Sequence, residues 1–256
     1  MSVNRKNYLR SLKQFWEVND FTELKFNRVD TLYGEDRTDQ RFDELLDERV
    51  SWLVSDLDLP HKPKIVEIGC GIGAVVERFL LKYEDAEIWG FDISEAMISE
   101  AQKLVGNNPR CHLKLTDGDN LSEINSESVD LVICSGVFIH ILEIEVIQNY
   151  IREVYRILKP NGQFRFNVRY RNPYISFSDS LGGNLAKFLF RIGYYSPMKS
   201  FNSLSDKNRG FEGLLFSLDD IDTLTRNVGL IPEKFIVLSK EQRLGSGYIR
   251  VNSYKC

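Results

Sequence analysis

The 256-residue chain is 43% hydrophobic and 27% charged, with a formal net charge of −4. That is enough apolar material for a large core, and it gives no global positive field to gather nucleic acid or an anionic membrane. Its four cysteines, Cys70, Cys111, Cys134 and Cys256, show no C-x-x-C spacing, and with His61, His112 and His140 they make no metal-ligand pattern. Reduced thiols in a cytoplasmic protein are expected. The first ten residues carry Asn4, Arg5, Lys6 and Arg10 where a signal peptide would have an apolar core, and no apolar run approaches membrane-spanning length.

Residues 1–60 read as an N-terminal helical cap. Tyr8, Leu12, Phe15 and Trp16 share one helical spacing, and Phe42, Leu45, Leu46, Val50, Leu53 and Val54 share another, with Asp39 placed to cap the second helix. The stretch 21–37 between them has no clean period and reads as irregular. Packing against a sheet accounts for most of these apolar residues; a smaller share is left to cover a ligand cleft. Pro60 and Pro63 then stop the helix and start the first strand.

That strand, Ile65, Val66, Glu67 and Ile68, ends in Gly69, Gly71 and Gly73 and runs straight into the helical spacing of Val75, Val76, Phe79 and Leu80. A strand, a glycine turn and a helix make a cradle for a nucleotide-like cofactor, because glycine lets a ligand lie against the main chain and the helix N-terminus offers amides. Gly69, Gly71 and Ala74 also satisfy the loose dinucleotide pattern G-x-G-x-x-G/A. Glu67 argues the other way: a carboxylate there repels a pyrophosphate and suits a cationic amino-acid head.

Strands and helices alternate from here: strands over 87–91, 111–115, 130–134 and 163–170, and helices over 94–104 and 143–158. The pattern predicts a mostly parallel sheet wrapped on both faces, with ligands at the carboxyl ends of the strands. Asp92, about twenty residues past the turn, suits a ribose diol, although an Asp ahead of a helix is often only a cap. Thr116-Asp117-Gly118-Asp119 is either a plain turn or an adenine contact. The strand over 163–170 alternates Phe164, Phe166, Val168 and Tyr170 with Gln163, Arg165, Asn167 and Arg169. A buried arginine needs a partner, and for Arg165 a carboxylate on a covering helix is expected. Asn167 and Arg169, nearer the carboxyl end, are placed to meet an anionic substrate group.

Residues 171–214 form an aromatic-rich insertion with a short helix expected over 185–192. It reads as a lid over a small-molecule pocket, with a satellite core or a dimer contact as the other readings. Ser217 and Asp220 are spaced as a capping box for a helix ending near Gly229. Strands over 234–238 and 248–254 close the sheet. The domain division expected is 1–60, then 61–170 together with 215–256, with 171–214 inserted.

Taken in order, Val66-Glu67-Ile68-Gly69-Cys70-Gly71-Ile72-Gly73, Gly90-Phe91-Asp92, Asp117-Gly118-Asp119, Asp130 to Ser135 and Leu158-Lys159-Pro160-Asn161-Gly162-Gln163-Phe164 resemble the class I S-adenosylmethionine-dependent methyltransferases. The resemblance implies an α/β fold: a Rossmann-like, seven-stranded, mostly parallel sheet with helices on both faces and an antiparallel last strand. It implies S-adenosyl-L-methionine as cofactor and S-adenosyl-L-homocysteine as product. The cofactor contacts it implies are Glu67, Gly69, Cys70, Gly71 and Gly73 around the methionine, Asp92 at the ribose, Ile93, Asp117 and Gly118 at the adenine and the backbone near Ser135, with Met97 and Asp119 as further cofactor contacts. No metal is called for.

His140, following the fourth strand, is placed either to take a proton from the acceptor or to line the cleft. Phe138 is expected as a substrate wall, beside Asn167, Arg169 and Tyr170 as substrate contacts. The function expected is methyl transfer to oxygen or nitrogen of a small, anionic metabolite, by a monomer or homodimer acting without nucleic acid or membrane. Rival readings are a protein or RNA methyltransferase, a catalytically silent cofactor-binding regulator, and a nicotinamide dehydrogenase. Cys134-Ser135-Gly136-Val137 stands where an N-P-P-Y-like tetrad would favour methylation of base amino groups.

Overall fold

The structure, a computed structural model, describes residues 3–17, 39–171, 213–237 and 246–256. The irregular stretch 21–37, the helix expected over 185–192 and all but the ends of the 171–214 insertion fall outside them.

The strands are β1 (Lys64–Ile68), β2 (Glu87–Asp92), β3 (Cys111–Leu115), β4 (Val129–Cys134), β5 (Leu158–Arg171), β6 (Leu215–Phe216), β7 (Leu230–Val237) and β8 (Ser246–Lys255). They form one sheet in the order β3-β2-β1-β4-β5-β8-β7. The first five strands are parallel, and β8 runs antiparallel between β5 and β7. The expected architecture is present: seven strands make the main path, and among the described residues a two-residue eighth, β6, pairs in parallel with β5 at Arg169 and Tyr170.

Helices α1 (Val3–Trp16), α2 (Asp39–Val54), α3 (Ala74–Lys82), α4 (Glu95–Val105), α5 (Ile144–Ile157) and α6 (Leu218–Arg226) cover both faces. Side chains alternate along a strand, so each strand feeds two cores. Val66, Val132 and Phe164 join Leu12 of α1, Ile147 of α5 and Ile221 of α6. Ile65, Leu131 and Ile133 join Val50 of α2, Val76 of α3 and Ile98 of α4. β4, buried along its whole length, is the kind of two-sided strand that reads as a continuous apolar run.

β5 begins earlier than its sequence pattern indicates, at Leu158 instead of Gln163. Helix α5 ends as Leu158 turns extended, and Pro160 cannot continue it. Asn161 takes φ 64°, and the pairing with β4 slips between Val129 and Leu131. The irregularity hid the strand's first turn. Two of the described helices are capped by side chains, the second as expected. Ser94 caps α4 by accepting from Met97 N at 3.2 Å, and Ser217 and Asp220 form a reciprocal capping box at α6. Ser217→Ala should therefore cost about 1 kcal/mol, read as a lower urea midpoint at unchanged slope.

Candidate functional site

The site is assembled from strand ends. At the end of β1 the chain turns through Gly69, Gly71 and Gly73 at φ 75°, 54° and 82°, angles that disfavour a side chain. The demand at Gly69 is also steric: a Cβ there would lie 2.1 Å from Val137 Cγ2. The turn is held to β2, with Gly69 N and Cys70 N both donating to Phe91 O at 2.7 and 2.9 Å. Gly71 N donates to Asp92 Oδ2 at 2.9 Å, and the other oxygen of Asp92 accepts from Ser94 N at 3.0 Å. No side chain caps the N-terminus of α3.

Glu67 lies in the adjacent position at the end of β1. It is only 3% exposed, and its Oε2 is buried without a hydrogen-bond partner. Burial pushes its carboxyl up to about 8, against the pull of the Arg49 guanidinium and with a further push from Asp92. Arg49 reaches over from α2, donating through Nη2 to Ser135 Oγ at 2.8 Å just beyond β4. From below, Asn167 Oδ1 accepts Gly136 N at 2.8 Å. Glu67, the glycine turn, Asp92 and Ser135 are thus brought to one end of β1, β2 and β4.

Across the turn, Ile93 and Gly118 face each other. Gly118 has φ 100°, and a Cβ there would meet Ile93 Cδ1 at 2.7 Å and Leu9 Cδ2 of α1 at 3.1 Å. Asp117 is exposed. Asp119 is 3% exposed and ion-paired with Arg5 of α1, so its carboxylate holds that helix. Met97 and the Cys70 side chain are buried; Cys70 can offer a ligand its backbone alone, and its thiol is pushed up by burial.

Beyond β4 a 3-10 turn, Phe138–His140, places His140 half-buried against Trp16 of α1, ring centroids 5.1 Å apart at 65°. Phe138 is fully buried among Tyr150, Phe164 and Phe166. It faces the core, so it can shape the cleft only by fixing this turn. Arg169, 5% exposed, donates through Nη1 to Gly213 O at 2.8 Å, and Gly213 N donates to Ile139 O at 2.7 Å. The return of the 171–214 insertion is thereby held against the His140 turn. Tyr170 is half-buried beside it.

Three participants escaped the sequence reading: Arg5, Val137 and above all Arg49. Leu45, Arg49 and Leu53 are spaced four apart, so a cation stands inside an apolar stripe, and that was the available signal. Arg5 and Val137 had none.

The strand order, the glycine turn and the carboxylate closing β2 define the class I methyltransferase fold. Residues 65–162 match the family described as "Methyltransferase domain". The ubiquinone biosynthesis O-methyltransferase of Pseudomonas putida is 30% identical over 126 residues, 49% of this chain and 52% of that protein. The chain thus spans about half the length of the curated relatives it matches. In fold it is similar to the geranyl diphosphate C-methyltransferase of Streptomyces coelicolor, solved with geranyl diphosphate and S-adenosyl-L-homocysteine, at TM-score 0.66 and 12% identity over 97% of this chain and 98% of that one. It is also similar to the magnesium protoporphyrin IX methyltransferase of Synechocystis with bound S-adenosylhomocysteine, at TM-score 0.59 and 18% identity over 97% and 100%. Among the described residues no group of side chains is arranged to hold a metal, and no helix is long and apolar enough to cross a membrane.

The raised carboxyl of Glu67 has a sign that can be tested. An acid raised on folding favours its neutral form, so its contribution is intact below the ordinary glutamate value of 4.5 and is lost as pH rises toward about 8. Thermal unfolding of Glu67→Gln against wild type should show a gap in favour of the variant that opens between those two pH values; parallel curves would contradict it.

Proposed function

We propose that the protein is an S-adenosylmethionine-dependent methyltransferase acting on oxygen or nitrogen of a small, anionic metabolite. The observation that carries the reading is the buried, unpartnered Oε2 of Glu67 beside a glycine turn, with Arg49 across from it. The ammonium of an amino-acid head would supply the partner that Glu67 Oε2 lacks, and its carboxylate would lie on the side of the Arg49 guanidinium. A dinucleotide pyrophosphate would set two anions against a buried carboxyl.

The cofactor supplies a methyl group on a cationic sulfonium, which transfers by in-line displacement. What remains for the chain is alignment and exclusion of water. Asp92 would receive the ribose hydroxyls, and Ile93, Asp117 and Gly118 would border the adenine. His140 takes the proton from the acceptor's hydroxyl or ammonium as its atom is methylated, a role worth about 10²–10⁴-fold. Arg169, which already secures Gly213, meets the acceptor's anionic group, with Asn167 and Tyr170 beside it. Among the relatives, one is named for O-methylation and a fold neighbour for C-methylation, so the acceptor atom is proposed from the proton-accepting His140 and not from fold.

Calorimetric titration should give binding of S-adenosylhomocysteine and none of NAD; the reverse would overturn the reading. Affinity should rise from pH 6 to 7.5 as the Glu67 carboxyl more readily gives up its proton to solvent and can then accept from the incoming ammonium, and Glu67→Gln should flatten that dependence. Once an acceptor is found, Arg169→Lys should raise its KM several-fold, and an unchanged KM would remove Arg169 from the substrate site.

A further inference from the structure

The sheet face beneath α2 carries polar groups where simple packing would place apolar ones. On the antiparallel neighbours β5 and β8, Arg165 stands opposite Asn252 and Asn167 opposite Arg250. Arg165, Arg250 and Asn252 are at most 2% exposed. Both guanidiniums reach the last turn of α2: Arg165 Nη1 donates to Leu53 O at 2.7 Å, and Arg250 Nη1 donates to Trp52 O. These are carbonyls that a helix end leaves without intrahelical partners, at the negative pole of its dipole. Asp56, just past the helix, pairs with Arg165 at 2.6 Å and accepts from Asn252 at 3.3 Å. The Arg250 guanidinium lies 3.8 Å from the centre of the Trp52 ring.

Tight packing alone does not explain the cluster. Two buried cations share one carboxylate, with Lys234 a further 3.8 Å from Asp56, and both Arg Nε atoms are buried without partners. Apolar residues of similar volume commonly serve stability as well or better. What the cluster provides is a directional fix. Arg49 lies one helical turn before Leu53, and its 2.8 Å contact with Ser135 Oγ would be broken by a slide of about 1 Å along the helix axis. Asn167, on the same polar face, holds Gly136. The seam therefore grips both partners of the Arg49–Ser135 contact, α2 at its C-terminus and the turn after β4 from below.

We propose that Arg165 and Arg250 are positioning residues that fix α2 along its axis and thereby place Arg49 at the amino-acid end of the cofactor site. The proposal rests on the reading that this site takes S-adenosylmethionine.

The test is a double-mutant cycle on S-adenosylhomocysteine affinity with the full chain. Arg49→Met should weaken binding about tenfold or more, the scale of one charge-assisted hydrogen bond. Arg250→Met should weaken it to a similar degree, with Arg250→Lys recovering most of the loss. The double variant should bind no more weakly than Arg49→Met alone, because a misplaced guanidinium and a missing one are equivalent. If the two losses multiply, or if Arg250→Met binds like wild type, the proposal is overturned. A merely stabilising role would lower the melting temperature and leave the affinity of the folded protein as in wild type. Should Arg250→Met fail to fold, Asp56→Asn, on the 39% exposed partner of Arg165, enters the same cycle with the same expectation. A wild-type chain that binds no S-adenosylhomocysteine would instead overturn the cofactor reading itself.

Discussion

A carboxylate buried at the end of a central strand must be neutralised, and the construction around Glu67 follows from that requirement. Its neighbours do only half of the work. Arg49 lies close enough to pull its proton affinity down, yet burial still pushes it up to about 8, and Arg49 Nη2 is directed at Ser135. Removing a charge from water without a full partner costs several kcal/mol. Such a deficit beside a glycine turn is what the ammonium of the proposed cofactor would fill.

The rest of the sheet end supports this arrangement by holding backbone in place. Phe91 O receives two amides of the glycine turn, and Asp92 receives a third. Val137 occupies the space a side chain at Gly69 would need. These contacts fix the turn before any ligand arrives, so little ordering remains to oppose binding. The polar seam under α2 extends the same logic to a helix. Apolar faces resist separation but are tolerant of sliding, whereas a guanidinium on a carbonyl sets a position.

Much of this was legible in the residues. The alternation of apolar runs pointed to the parallel sheet, and the three glycines with Glu67 ahead of them marked the end of β1 where the candidate site lies. Arg165 announced a carboxylate on a covering helix, and Asp56 stands just past the end of that helix. What escaped did so for physical reasons. Two residues suffice for β6 because β5 supplies its partners, so no period exists to detect. Phe138 belongs to a short turn whose direction no local pattern specifies, and tertiary packing turned it inward. Arg49 was hidden by the amphipathic stripe around it, since a helix read for its apolar face conceals the one cation on that face.

Helix α1 links the two ends of the cleft. At one end Arg5 pairs with Asp119 and Leu9 borders Gly118; at the other Trp16 meets the ring of His140. In between, the buried Tyr8 hydroxyl accepts Leu142 N at 2.7 Å. Just past the helix, Glu17 accepts Ala96 N at 2.9 Å at the start of α4. A helix is stiff along its axis, so these contacts cannot be released independently. The ring of His140 and the turn at Gly118 are thereby both braced by one rigid element.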